Sequence, residues 1–249
     1  MSAFKDHFSS HAATYAAYRP AYPPELAAWL GSIAPATKIA LDVGCGSGQL
    51  SLQLARHFDE VIATDPSPQQ IASATPHPRI DYRVAPAEAS GLPDGSVDLV
   101  TAAQAAHWFD LPAFFAETAR LLRTGGVVAL ISYAGMESQG EIEAIVERFR
   151  IETLAEHWPP ERALVENAYR DIHLPFPAIE APAISIEVRW PLAALIGYLD
   201  TWSAVRALER SIGREPFDAV AADLSRAWGD PATPRTIRWP LTILAGRRS

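Results

Sequence analysis

Between residues 38 and 132 the chain alternates short apolar strands with helical stretches, and no other feature limits its fold as strongly. Residues 39–43 read as a strand of the buried type, and 61–64, 80–84, 97–102 and 127–132 as the strands that follow it. Residues 48–58, 68–74 and 111–122 read as helices between them. A strand followed by a helix cannot turn back as a hairpin. Each connection has to cross over, and right-handed crossovers build a mainly parallel sheet with both faces covered. Residues 1–30 form a separate lead-in, with Phe8, Tyr15, Tyr18 and Tyr22 at near-helical spacing until Pro20, Pro23 and Pro24 interrupt it. After Tyr133 the rhythm breaks. Residues 141–157, 161–172, 192–211 and 217–228 look helical, 184–190 alternates as a half-exposed strand, and 236–244 closes as a strand.

Composition narrows what such a fold can bind. The 249 residues suffice for one sizeable core, with a formal net charge of −8. That balance argues against a nucleic-acid partner, and the one basic cluster, Arg247-Arg248, reads as a solvated tail. The first residues lack a signal-peptide pattern, and no apolar run reaches the roughly 18–20 residues of a membrane span. A single cysteine, Cys45, excludes an internal disulfide and fits a reducing compartment, so a cytoplasmic protein is expected.

The chemistry concentrates at the loop after the first strand, Leu41-Asp42-Val43-Gly44-Cys45-Gly46-Ser47-Gly48-Gln49-Leu50. Gly44, Gly46 and Gly48 allow a sharp turn and a close ligand approach, and the helix that follows offers unpaired N–H groups to a carboxylate. The spacing G-x-G-x-G differs from the G-x-G-x-x-G of dinucleotide sites. Asp42, two residues before the first glycine, suits a ligand with an ammonium group and no phosphate, as at the methionine end of S-adenosylmethionine. Asp65 ends the second strand, where a carboxylate can accept ribose hydroxyls; a helix N-cap is the alternative reading.

Taken in order, these residues resemble the class I S-adenosylmethionine-dependent methyltransferases. The resemblance implies an α/β, Rossmann-like, seven-stranded, mostly parallel sheet, with an antiparallel strand near its edge. It places a single domain over 1–249: lid helices in 1–30, the cofactor-binding core in 38–133, cap helices in 134–180 and 191–230, and final strands in 183–190 and 235–245. Ala87-Glu88 is similar to the segment that faces the adenine, and Pro66 follows the ribose acid. Residues 94–100 and 120–126 resemble the turns into the fourth and fifth strands. Two stretches, residues 15–23 and Gln104-Ala105-Ala106-His107-Trp108-Phe109-Asp110, resemble the small-molecule enzymes related to trans-aconitate methyltransferase. That likeness implies Tyr15, Arg19 and Gln104 beside the cofactor, and Tyr22, His107, Trp108 and Tyr133 on the substrate side. S-adenosylhomocysteine would be the product.

The sequence leaves alternatives beside these readings. His107 is a general base, a polar substrate contact, or a loop residue capping the helix that begins near Leu111. Trp108 and Phe109 serve packing as readily as pocket walls. The histidines show no metal-ligand spacing, so no metal is expected, and Cys45 reads as a small loop residue. The expected reaction is methyl transfer to an oxygen of a small molecule, preferably a carboxylate, which is ionised at neutral pH and needs no base. The alternatives are a nicotinamide-dependent oxidoreductase and a cofactor-binding protein without catalysis.

Overall fold

A computed structural model describes residues 18–249. Tyr15, and with it most of the lead-in, lies outside the described residues. The parallel core uses β1 (Ile39–Val43), β2 (Glu60–Asp65), β3 (Ile80–Val84), β4 (Val97–Ala103) and β5 (Leu122–Ser132). Between them run α2 (Gln49–Leu54), α3 (Pro68–Ala72) and α4 (Leu111–Leu121), while α1 (Pro24–Ile33) precedes the sheet. With β7 (Ala178–Ile179) and β10 (Thr242–Arg247), the seven strands lie in the order β3-β2-β1-β4-β5-β10-β7. All neighbours from β3 to β5 are parallel, and β10 is antiparallel to both β5 and β7. The order reverses between β1 and β4, where the crossovers leave in opposite directions and open a crevice at the carboxyl ends of the strands.

Alternation along the strands sorts the core into two layers. Ala40, Leu99, Val127, Ala129 and Ile131 face α1 and α2, meeting Leu26, Leu30, Leu50 and Leu54. Leu41, Val43, Val100, Ala102, Val128 and Leu130 face the opposite side, against Phe114, Phe115 and Leu121 of α4. Both faces are apolar because both are covered, which is why these strands read as continuous apolar runs. At the amino end of the sheet, fully buried Asp98 accepts the Lys38 and Ile39 amides at 3.0 Å each and pairs with Arg123 at 2.9 Å. This carboxylate fixes the register at which β1 enters beside β4.

The second half departs from the sequence expectations in several places. Residues 236–244 form two strands rather than one. β9 (Arg235–Pro240) pairs with β6 (Glu137–Ser138) and β8 (Ser185–Trp190) in a separate three-stranded antiparallel sheet, while β10 joins the main sheet. Pro240 cannot donate to a ladder, and the chain changes sheets immediately after it. The expected strand at 184–190 therefore belongs to the small sheet. In the cap, α5 (Glu141–Arg148) runs into a π-helical turn at Phe149–Thr153. The helix expected over 161–172 is only α6 (Ala163–Glu166), because Ala168 and Tyr169 take φ of 51° and 56°. Two left-handed non-glycine residues cannot continue a helix, and they persist because the Tyr169 side chain is fully buried.

The stretch 192–211 is likewise split into α7 (Leu192–Asp200) and α8 (Ser203–Ile212), followed by α9 (Glu215–Trp228). Finally, Arg247 and Arg248 are not a solvated tail. Arg247 donates to the carbonyls of Gly125 at 2.8 Å and Ile33 at 2.9 Å, and Arg248 to that of Leu122.

Replacing Asp98 with alanine leaves two buried amides and the Arg123 guanidinium without their acceptor. The variant should lose about 3–5 kcal/mol, as when one partner of a buried pair is removed. Urea denaturation checks this, and a loss below about 1 kcal/mol would show that water replaces the carboxylate.

Candidate active site

The loop after β1 is built on two carboxylates that the protein itself surrounds. Asp42 lies beneath the loop, accepting the Ser51 hydroxyl at 2.6 Å and the Thr101 hydroxyl at 2.9 Å. Burial pushes its carboxyl up to about 6, against the lowering pull of those two hydroxyls. Asp65, at the tip of β2, accepts the Gly46 amide at 2.9 Å on one oxygen and the Ser67 amide at 2.9 Å on the other. The N-cap of α3 is Ser67, whose hydroxyl accepts the Gln70 amide at 3.3 Å, so Asp65 braces that cap rather than forming it.

The glycines differ in what surrounds them. A Cβ on Gly44 would lie 2.5 Å from the Ala105 Cβ, so its bare backbone is what lets the β1 and β4 loops touch. Gly48 is closed off by the Tyr82 ring. Gly46, at φ +56°, is open among the described residues, and of these a Cβ there would meet only Gln70 Oε1 at 3.8 Å. That oxygen is buried and has no hydrogen-bond partner among the described residues. Burial also drives the Cys45 thiol well above its ordinary range, with Asp42 and Asp65 adding to the effect, which leaves it unreactive. Half-buried Pro66 follows Asp65; Ala87 is buried in the α4-side core, and Glu88 accepts the Asp110 amide at 3.0 Å.

Beyond β4 the backbone is strained. Gln104 has φ +53°, with its amide on the Ile131 carbonyl at 2.8 Å and its side chain donating to the Tyr133 carbonyl at 2.7 Å. Such a conformation in a bulky residue costs energy, and it sits where the crevice opens. A 3-10 turn, Ala106–Trp108, then delivers His107 and Trp108. Asp110, not His107, caps α4, accepting the Ala113 amide at 3.3 Å.

Gln104 and His107 form one side of a small cavity of about 40 Å³. Trp108, Trp158 and Trp202 supply aromatic walls, and Arg19 and Arg162 supply positive charge; among the described residues no acidic side chain lines it. His107 is buried, and its Nδ1 meets the Tyr169 hydroxyl at 3.2 Å. Desolvation, with the Arg162 charge second, pushes its imidazole down to about 3. The ring is therefore neutral at neutral pH and a weak base. Arg19 reaches the Tyr133 hydroxyl at 3.5 Å and lies 5.4 Å over the Tyr198 ring. Tyr133 and Tyr22 are buried in the core layer under α1, and neither lines the cavity. Among the described residues no group of three or more His, Cys, Asp or Glu could hold a metal ion, and no helix is long and apolar enough to cross a membrane.

Sequence reasoning missed Trp158, Arg162, Tyr169 and Trp202, all from the cap. The one local signal was Trp158-Pro159-Pro160, an aromatic followed by a rigid turn.

Known proteins agree on what this frame is. The family described as methyltransferase domain matches residues 41–130. A protein of Dictyostelium discoideum named as a methyltransferase is 35% identical over 229 residues, covering 90% of this chain and 87% of that protein. An uncharacterized methyltransferase of Mycobacterium tuberculosis is 36% identical over 141 residues, covering 56% of this chain and 57% of its own. A solved structure from Anaeromyxobacter dehalogenans, described as a type II methyltransferase, is 51% identical with a TM-score of 0.87, covering 92% of this chain and 98% of that one.

The two shifted groups of the site make a checkable pH signature. His107 near 3 lies below its unfolded value of about 6.5, so between them the unfolded chain binds the extra proton and stability is lost as pH falls. Asp42 is raised from 3.8 to about 6, so there the folded chain binds the extra proton and acid stabilises it. In the parent the two offset each other. A His107→Gln variant keeps only the Asp42 contribution. Relative to the parent it should gain stability on going from about pH 6 to about pH 4, by up to about 1.4 kcal/mol per pH unit. Urea titrations at each pH measure this, and a difference that ignores pH would mean His107 titrates as a solvated residue.

Proposed function

We propose that this chain, which belongs to the class I S-adenosylmethionine-dependent methyltransferases, moves the methyl group onto an oxygen of a small organic acid. The observation that carries the acceptor reading is the cavity beyond β4, whose lining, among the described residues, holds two arginines and no acid. The cofactor, when bound, supplies a methyl group already activated by its sulfonium. Three features support the glycine loop as its seat: the open side of Gly46, the unpartnered Gln70 oxygen beside it, and Asp65 at the tip of β2. In this reading Asp42 acts from below, holding the loop through Ser51, while Gly44, Gly48, Pro66, Ala87 and Glu88 shape its surroundings.

The protein's remaining work is positional. Gln104, fixed by the Tyr133 carbonyl, and Arg19 stand between the cofactor side and the acceptor side. Neutral His107, steadied by Tyr169, contributes a hydrogen bond to the acceptor rather than removing a proton from it. A carboxylate is already an anion at neutral pH, so alignment and exclusion of water are the whole requirement. The aromatic walls, Trp202 buried and Trp108 and Trp158 half-buried, serve both ends. A hydroxyl acceptor would instead ask for a base that loses little to water, and an imidazole held near 3 is poorly suited to that.

The nature of the product tests the proposal. With methyl-labelled cofactor and a panel of carboxylic acids and phenols, the label should appear as a methyl ester that mild alkali releases as methanol. An alkali-stable label would refute the carboxylate. Under the same conditions His107→Gln should cost about tenfold or less, since general-base assistance, normally worth about 10²–10⁴-fold, is not in play. For the cofactor seat, Asp65→Ala should weaken S-adenosylhomocysteine binding by about 1.5–3 kcal/mol in calorimetry, the cost of a lost charged acceptor. Unchanged affinity in a folded variant would remove Asp65 from the site.

A further inference from the structure

Arg162 stands apart from the other charged groups of the cap. Pro159 and Pro160 lead it into a 3-10 turn that ends at Arg162 itself, at the start of α6. Its guanidinium lies 4.7 Å over the Trp158 ring, and its Nε donates to Glu166 at 3.0 Å. Glu166 is shared with Arg150, which also holds Glu147, so this acid is divided between two cations. Among the described residues the two terminal nitrogens of Arg162 make no hydrogen bond. The plane of the guanidinium is therefore set by the indole and the Nε bond, while its two-donor edge is uncommitted. The side chain is only 19% exposed, yet it lines the cavity shared with Gln104 and His107. Its charge acts on His107, Tyr169 and Tyr198 together, as a cation turned inward would.

A planar, pre-oriented fork of two N–H donors matches a carboxylate, and flat indole walls match a flat apolar body. We infer that Arg162 is the specificity-determining residue of the site, gripping the carboxylate of a flat, aromatic or conjugated monoacid between Trp108, Trp158 and Trp202. This rests on the carboxylate reading above and adds a consequence for turnover. The transfer balances without a proton: an oxygen electron pair makes the new C–O bond, the methyl–sulfur pair stays on sulfur, and a sulfonium and an anion become a thioether and a neutral ester. The group Arg162 held has then lost its charge, and the same contact that admits the acid lets the ester leave. The cavity itself, at about 40 Å³, holds a head group such as a carboxylate and not a whole metabolite, so the body of the acid lies along the indoles.

Binding without turnover tests the inference. The full chain saturated with S-adenosylhomocysteine would be titrated with benzoate, trans-cinnamate and indole-3-acetate and with the methyl ester of each. Quenching of the cavity tryptophans reports occupancy, and calorimetry gives affinity. At least one acid should bind about tenfold or more tightly than its ester. Arg162→Gln should bring that acid to the level of its ester, and Arg162→Lys, which keeps the charge and loses the planar fork, should fall between. S-adenosylhomocysteine affinity and melting temperature should stay unchanged in both variants, which a merely structural Arg162 would not allow. Equal affinity for acid and ester, failure of all three acids to bind, or a preference that survives Arg162→Gln would overturn it. The alkali test of the label is separate: a label found on another atom, beside an Arg162-dependent preference for acids, would defeat the acceptor assignment and still uphold the anion site.

Discussion

A carboxylate sealed away from water must be given donors, and Asp42 is the point at which this requirement organises the site. Ser51 comes to it from α2, and Thr101 from β4. Each donor arrives only if its element is docked at the right height, so one buried acid ties the first strand, the first helix and the fourth strand to a common level. Asp65 repeats the device one strand away, gathering the amides of Gly46 and Ser67. The loop between them is held from below and from the side, which leaves its upper surface as the part that can meet a ligand. Burial of such groups costs free energy that the surrounding hydroxyls and amides only partly return, and the raised carboxyl of Asp42 is the visible remainder.

The cap works by a different principle. Its charges are arranged in alternating pairs, Glu147–Arg150–Glu166–Arg162, and a chain of aromatics runs from Trp190 of β8 through Tyr198 of α7 and Trp239 of β9 to Tyr133 just after β5. Rings pack rigidly for little side-chain entropy, so this seam ties the cap firmly to both sheets. His107 lies where the two principles meet. It is carried by the core sheet but buried by the cap, through Tyr169, whose left-handed backbone exists to reach it.

What the sequence disclosed follows from how local each signal is. Strands 39–43 and 97–102 declared themselves because a buried parallel strand is mostly apolar over its own length, whatever its neighbours do, whereas 80–84, at the sheet edge, alternates apolar and charged residues. The splitting of 236–244 was hidden, since membership of one sheet or another is a property of partners and only Pro240 hinted at it. The helix at 161–172 failed for the same reason: nothing near Ala168 announces a left-handed turn, which follows from where Tyr169 must be buried. At the site, Gly44-Cys45-Gly46 and Asp65 were legible as a motif, but their work was not. Gly44 serves loop contact with Ala105, and Asp65 takes amide donors from its own chain. Arg162 belongs to no motif, and only the two prolines after Trp158 hinted at that residue, because both reach the cavity through the folding of the cap and not through a local pattern.

The last two strands carry a consequence for how the molecule comes into being. β5 lies inside the main sheet, but one of its sides is completed only by β10, and β6 of the small sheet is paired only by β9, each partner about a hundred positions or more further on. Until β10 has been made, the growing polypeptide thus exposes the flank of a strand whose residues 127–132 end up buried. Loop closure over such a distance is slow, and an open apolar edge invites pairing with other chains. A chain cut before β10 would present that edge to its neighbours, and aggregation rather than a faulty site would be its mode of failure.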